Sequence, residues 1–260
     1  MAYYLGMKAK KIVFLNQKGG VGKTTTTVNV GSCLAKEGYK VLLVDLDSQG
    51  NLSSSVSADI SKPGVYEVLA GEFTPQKSIQ TTPVVNLYCL SGGINMAGVD
   101  IELVDQPNRE FFLKGALLAL EDQYDYIFID CPPALDLVTM NALAYTDSVI
   151  IPMQCEFFAM EGLSLLLKTI NGVKKKINPT LDIMGIVFTM YSKRANLNNE
   201  VVEDITNYFK DLVFKTKIPR NVRLSEAPSH GLPINAYDNS CSGAKAYKDL
   251  SMEVLERANR

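Results

Sequence analysis

Apolar residues in this chain gather in unbroken runs instead of alternating with polar ones. The strand predicted over Lys40 to Leu46, within KVLLVDLD, is the clearest case. A strand that is apolar on both sides is covered on both faces, so the pattern predicts a parallel sheet with helices above and below it. Further strands are predicted at Lys11 to Asn16, Val84 to Leu90, Tyr124 to Asp130, Val149 to Met153, Leu181 to Met190 and Val213 to Ile218. Between them, apolar residues at helical spacing predict helices over Thr24 to Lys36, Val65 to Leu69, Arg109 to Asp122, Leu197 to Leu212 and Gly243 to Ala258, and QCEFFAMEGLSLLL opens another. Gly38 is placed to end the first helix. The expected class is α/β, a mostly parallel, doubly wound sheet with helices on both faces.

Composition narrows this picture. A hydrophobic content of 47% and a charged content of 21% are ordinary for a globular protein. Without linker-like or repetitive stretches, residues 1–260 are expected to form a single domain, with 1–10 as a short basic lead-in. Apolar runs are broken well before the roughly 18 residues of a membrane span, and the N-terminus lacks a signal-peptide core, so the expected location is the cytoplasm. The five cysteines are scattered without a CxxC pair, which suggests free thiols and neither a disulfide framework nor a zinc site. With 26 basic against 28 acidic residues the net charge is −2, so any hold on nucleic acid must come from a local patch.

The candidate chemistry starts at Lys18-Gly19-Gly20-Val21-Gly22-Lys23-Thr24-Thr25, between the first strand and the first helix. Glycines there allow successive amide N–H groups to face phosphate oxygens in front of a helix N-terminus. Lys23 supplies charge for the β and γ phosphates, and Thr24 a hydroxyl for magnesium. The generic phosphate-loop pattern wants glycine at position 17, where this chain has Gln17, and Lys18 opens the loop instead. KGGVGKTT with its extra lysine resembles the deviant Walker A motif of the ParA/MinD superfamily of ATPases, and NQKGGVGKTTTTVN resembles its partition branch, ParA/Soj. The expected architecture is therefore that of a P-loop NTPase with ATP and Mg2+ as cofactors.

Two strand ends carry carboxylates. Asp45-Leu46-Asp47-Ser48-Gln49-Gly50-Asn51 matches the family's DxDPQGN except that Ser48 replaces proline, which should leave the turn less rigid. By resemblance Asp47 orients the attacking water, while Asp45 serves magnesium through water or simply ends the strand. Asp130, followed by Cys131-Pro132-Pro133, resembles a Walker B aspartate and would hold magnesium together with Thr24. Cys131 reads as a packing cysteine and Gly92-Gly93 as a turn. Residues 52–82 are punctuated by Ser, Pro and Gly and could form a mobile region over the nucleotide.

Basic residues are concentrated late in the chain. Lys168, Lys174, Lys175 and Lys176 read first as a solvated helix end. Residues 193–223 hold seven basic and four acidic side chains, a net +3. IPRNVRLSEAPSHG is similar to the Soj branch, and the resemblance places Pro219 and Asn221 near the adenine and makes Lys193, Arg194, Arg220 and Arg223 candidates for DNA phosphates. His230 reads as packed in a loop. The resemblance further implies that Lys18 reaches into a partner subunit's site and that ATP joins a homodimer. That dimer would bind double-stranded DNA non-specifically, with a nucleoid-associated ATP form, and would hydrolyse ATP slowly until a ParB-like centromere-binding partner stimulates it. The competing readings are a MinD-type membrane-positioning ATPase and a metabolic or assembly ATPase. AYKDLSMEVLERANR, with as many acids as bases and a narrow apolar stripe, argues against membrane binding.

Overall fold

The structure, a computed structural model, describes residues 8–156 and 159–260. Most of the expected basic lead-in, and Phe157 and Phe158 of the segment expected to open a helix, lie outside the described residues. The chain runs β1 (Lys10–Phe14), α1 (Lys23–Lys36), β2 (Val41–Asp45), α2 (Asn51–Ser55), α3 (Val65–Leu69), α4 (Pro75–Ser78), β3 (Ile79–Thr81), β4 (Leu87–Leu90) and α5 (Val99–Leu103). It continues through α6 (Phe112–Leu117), β5 (Tyr126–Asp130), α7 (Leu137–Tyr145), β6 (Ser148–Gln154), α8 (Ala159–Lys176), β7 (Asp182–Thr189) and α9 (Asn196–Phe209). Three last helices, α10 (Val222–Glu226), α11 (Ile234–Tyr237) and α12 (Ser242–Ala258), complete it.

The sheet has seven strands in the order β3-β4-β2-β5-β1-β6-β7, all parallel except β3, which pairs antiparallel with β4. Period-two geometry sorts the apolar runs into two cores. Val13, Leu42, Val44, Ile127 and Ile129 face one layer of helices, while Ile12, Phe14, Val41, Leu43 and Phe128 face the other, where α1 and α12 lie. The doubly wound arrangement is as the sequence predicts. Asp130 ends β5 in register with Asp45 of β2 on one side and Phe14 of β1 on the other. Both carboxylates thus reach the carboxyl edge of the sheet beside the loop that follows β1.

Four segments differ from expectation. Val213 to Ile218 is not a strand: it meets the sheet through isolated bridges, Ile186 with Val213 and Tyr191 with Pro219, and through the Ile218 N–H, which donates to Phe188 O at 2.8 Å. Between them the N–H groups of Lys215 and Thr216 donate to the Glu253 carboxylate of α12, at 2.9 and 2.8 Å, so no ladder can form. The seventh strand is instead β3. The predicted helix over Arg109 to Asp122 is broken into α6 between 3-10 turns, Arg109–Phe111 and Leu118–Leu120; the Leu113 N–H donates to Asn141 Oδ1 at 3.1 Å. Residues 52–82 carry the predicted helix as α3 and, beyond expectation, α4, β3 and most of α2. Finally, α7 was not predicted, although Asp136 caps it by accepting the Thr139 N–H at 2.9 Å.

Candidate active site

The loop after β1 is shaped by its glycines. Gly20 and Gly22 have φ of +71° and +83°, a region that side chains rarely adopt, and Gly22 is the N-cap of α1. The loop is held from behind by the ends of β6 and β7. Gln154 Nε2 donates to Gly20 O at 2.8 Å, Thr189 Oγ1 donates to Val21 O at 2.7 Å, and Asn16 Nδ2 donates to Pro152 O at 2.8 Å. Lys23 is buried, and its ammonium donates to the Lys18 carbonyl at 3.1 Å. Burial pulls the Lys23 pKa down, against the attraction of Asp130, Cys131 and Asp47. A cation held with its charge turned into a concave loop is suited to an anionic ligand.

The carboxylates divide their work by environment. Asp45 is fully buried and accepts from Ser53 N–H at 2.9 Å, Ser53 Oγ at 2.7 Å and Asp47 N–H at 3.1 Å. Those bonds make it a brace for the turn that presents Asp47. Asp47 is partly exposed, and its Oδ1 accepts the Gln49 N–H at 3.0 Å, which fixes the turn despite Ser48. Asp130 is fully buried and accepts from Thr24 Oγ1 at 2.6 Å and more weakly from Thr27 Oγ1 at 3.4 Å. Burial, with Asp45 as neighbour, pushes Asp130 up to about 8, and burial pushes Asp45 up to about 6. The donor set fits magnesium, which takes few ligands from the protein when phosphates and waters supply the remainder.

These raised carboxyls imply a pH dependence. An unfolded aspartate titrates near 3.9, so between about pH 4 and pH 8 the folded, ligand-free chain holds protons that the unfolded chain has released. Stability therefore falls as pH rises through that window. Denaturant titrations of the ligand-free protein at pH 5 and pH 8 should show the loss, and Asp130→Asn should flatten it; an equal slope in the variant would remove Asp130 as its source.

Gly92 does more than the turn expected of it. A Cβ there would lie 2.6 Å from Asp45 O and 2.9 Å from Asp47 O, and its N–H donates to Ser53 Oγ at 3.0 Å. Only glycine lets this strand end lie against the Asp45–Asp47 turn. Ser53 carried no sequence signal beyond small size, and Gly92 only that of a turn. Cys131 is buried with its thiol pushed well up by desolvation, as befits packing, and His230 stacks on Tyr237 with ring centroids 4.8 Å apart.

Two connected hollows meet at Gly22, Thr25, Met190 and Pro228. One, of about 880 Å³, is lined by Gly19, Lys23, Thr24, Asp47, Asn51 and Pro132. The other, of about 470 Å³, is lined by Ile218, Pro219, Asn221, Leu224 and Tyr247. Pro219 and Asn221 thus stand in one hollow and the phosphate loop borders the next. Asn221 Oδ1 accepts the Arg223 N–H at 2.8 Å and its Nδ2 donates to Ser242 Oγ at 2.8 Å, so its side chain shapes the wall.

Lys18 stands apart from this set. Its side chain is exposed and its ammonium pairs with the Glu156 carboxylate. The Tyr191–Pro219 bridge brings the exposed Lys193 and Arg194 to the same edge as exposed Arg220. Arg223 instead pairs with Glu226 at 2.9 Å and Asp238 at 3.7 Å, which offsets its charge. Lys174, in the basic run at the end of α8, pairs with Asp182 at 3.1 Å, in keeping with a solvated helix end.

Known proteins resemble this chain over almost its whole length. A family model described as an AAA domain matches residues 9–183. The chain is 51% identical to the chromosome-partitioning ATPase Soj of Treponema pallidum (strain Nichols), over 95% of this chain and 98% of that protein. It is 52% identical to the sporulation initiation inhibitor protein Soj of Bacillus subtilis (strain 168), over 94% and 98%. Among solved structures, cobyrinic acid a,c-diamide synthase from Mycobacterium smegmatis with bound ADP and magnesium is similar, with a TM-score of 0.85, 34% identity and coverage of 96% of both chains.

Proposed function

Because the chain belongs to the Soj/ParA family of chromosome-partitioning ATPases, we propose that it is an ATP-dependent switch that pairs with a second copy and grips DNA in the paired state. Phosphoryl transfer to water asks for positioning and for neutralising charge. Magnesium would supply charge neutralisation between the phosphates, held by Thr24 and Asp130. Lys23 and the loop amides Gly19 to Thr25 hold the phosphates, and Asp47 orients water. The observation that carries the proposal is Lys18: an exposed cation paired with Glu156 and absent from the lining of the hollow that Lys23, Thr24 and Asp47 share. It is available to a partner's site, and pairing aligns two copies of the Lys193, Arg194 and Arg220 edge. Two weak patches joined in one particle bind with avidity, without sequence readout. Slow hydrolysis, stimulated by a ParB-like partner, would then separate the copies.

The geometry counts against membrane positioning. Helix α12 already uses its apolar face, with Tyr247, Leu250 and Val254 buried and the Tyr247 hydroxyl 3.2 Å from Thr26 Oγ1 of α1. Among the described residues no helix is long and apolar enough to cross a membrane.

The test is binding to random-sequence duplex DNA with ATP and with ADP. ATP should tighten binding by at least about tenfold, and the log-log salt slope should steepen, since each phosphate neutralised contributes about 0.9 to the slope. Equal binding in both nucleotides would overturn the switch and favour a metabolic ATPase. Arg220→Ala should lower the slope by about 1 without changing sequence preference.

A further inference from the structure

Gln154 at the end of β6 and the two residues after it touch both the signature loop and the basic edge. On one side Gln154 Nε2 donates to Gly20 O at 2.8 Å and Glu156 pairs with Lys18. On the other, Cys155 O accepts from Asn198 Nδ2 at 2.9 Å, in the first turn of α9. The same amide turns its Oδ1 to the Ser192 N–H at 3.0 Å, and Asn199 Nδ2 holds Lys193 O at 3.1 Å. Lys193 and Arg194 therefore stand on a turn whose foot is pinned, through one side chain, to the segment that holds Lys18. No other hydrogen bond of Asn198's side chain competes with these two among the described residues.

We propose that Glu156 and Asn198 are positioning residues that link Lys18 to the Lys193–Arg194 turn through residues 154–156, so that withdrawing Lys18 from Glu156 resets the basic edge. This rests on the reading that Lys18 crosses to a partner and that the basic edge meets DNA. In the unpaired chain Glu156 holds the lysine and the strap is loaded at one end. When Lys18 leaves, an unpaired Glu156 carboxylate and its neighbours settle anew, and Asn198 carries that shift to Ser192. Coupling of this kind through a hydrogen-bonded chain changes an equilibrium by about 2- to 30-fold.

The experiment measures DNA affinity with ATP and with ADP for the full chain and for Glu156→Gln, Asn198→Asp and the double variant. Dimerisation is followed by sedimentation, at concentrations where every ATP form is paired. Asn198→Asp keeps the acceptor for Ser192 but loses the donor to Cys155, so the turn stays folded while the link is cut. Because the paired form carries the new charge twice and the unpaired form once, Asn198→Ala, which adds no charge, is measured beside it and should narrow the ratio in the same direction. Each single variant should narrow the ATP-to-ADP affinity ratio by about 2- to 30-fold, and the double should narrow it no further than the larger single, since both cut one link. Unchanged ratios, effects that multiply, or equal loss of DNA binding in both nucleotides would overturn the link. If Asn198→Asp does not fold, Asn198→Ala and Glu156→Gln carry the same comparison. A native chain that neither pairs with ATP nor distinguishes the nucleotides on DNA would instead sink the switch itself.

Discussion

Lys18→Ala is expected to bind ATP as a monomer about as well as the native chain and yet fail to dimerise or to grip DNA. The structure gives the two lysines separate settings. Lys23 is steadied by the Lys18 carbonyl, which the substitution keeps, and the loop is held by Gln154 and Thr189, which it does not touch. What disappears is only the exposed ammonium paired with Glu156. A cation supplied across an interface to the transferring phosphoryl group is worth about 10³- to 10⁵-fold in rate in related phosphoryl transfers. Stimulated hydrolysis should fall by that order, while nucleotide affinity, measured by calorimetry below the dimerisation range, moves by no more than a few fold. A variant that still sediments as an ATP dimer would end the cross-subunit role.

Asp47 should give the opposite outcome. Asp47→Ala and Asp47→Asn are expected to slow hydrolysis by about 10²- to 10⁴-fold, the range for a positioned acid–base group, and to prolong the paired, DNA-bound state. The asparagine variant is the sharper probe, because its amide oxygen can still accept the Gln49 N–H and keep the turn. Phosphate release and DNA residence time, followed together, decide it. Fast hydrolysis in both variants would move the water-orienting role elsewhere, and loss of ATP binding would show that the turn, not the carboxylate, had been removed.

How much of this could be read beforehand depended on where the determining contacts lie. The sheet could be read because each strand's apolar run is its own evidence, and burial on both faces leaves few alternatives for VLLVD or YIFID. The phosphate loop could be read because its glycines answer a local backbone demand. By contrast, Val213 to Ile218 has strand-like composition, and only Glu253, distant in sequence, diverts its N–H groups. The role of Asp45 stayed open for the same reason: its partner Ser53 and the Gly92 that closes over it are small residues far apart in the chain. Arg223 looked like any other arginine until folding set Glu226 and Asp238 beside it.

The treatment of the β7 margin has a bearing on solubility. An uncovered outer strand offers a template on which foreign chains can grow, and proteins blunt such edges with irregular cover. Here Val213 to Ile218 lies along β7 yet spends two of its amides on Glu253, so it shields the edge without becoming a fresh template itself. At high local concentration, stray cross-β growth from this side is denied a foothold.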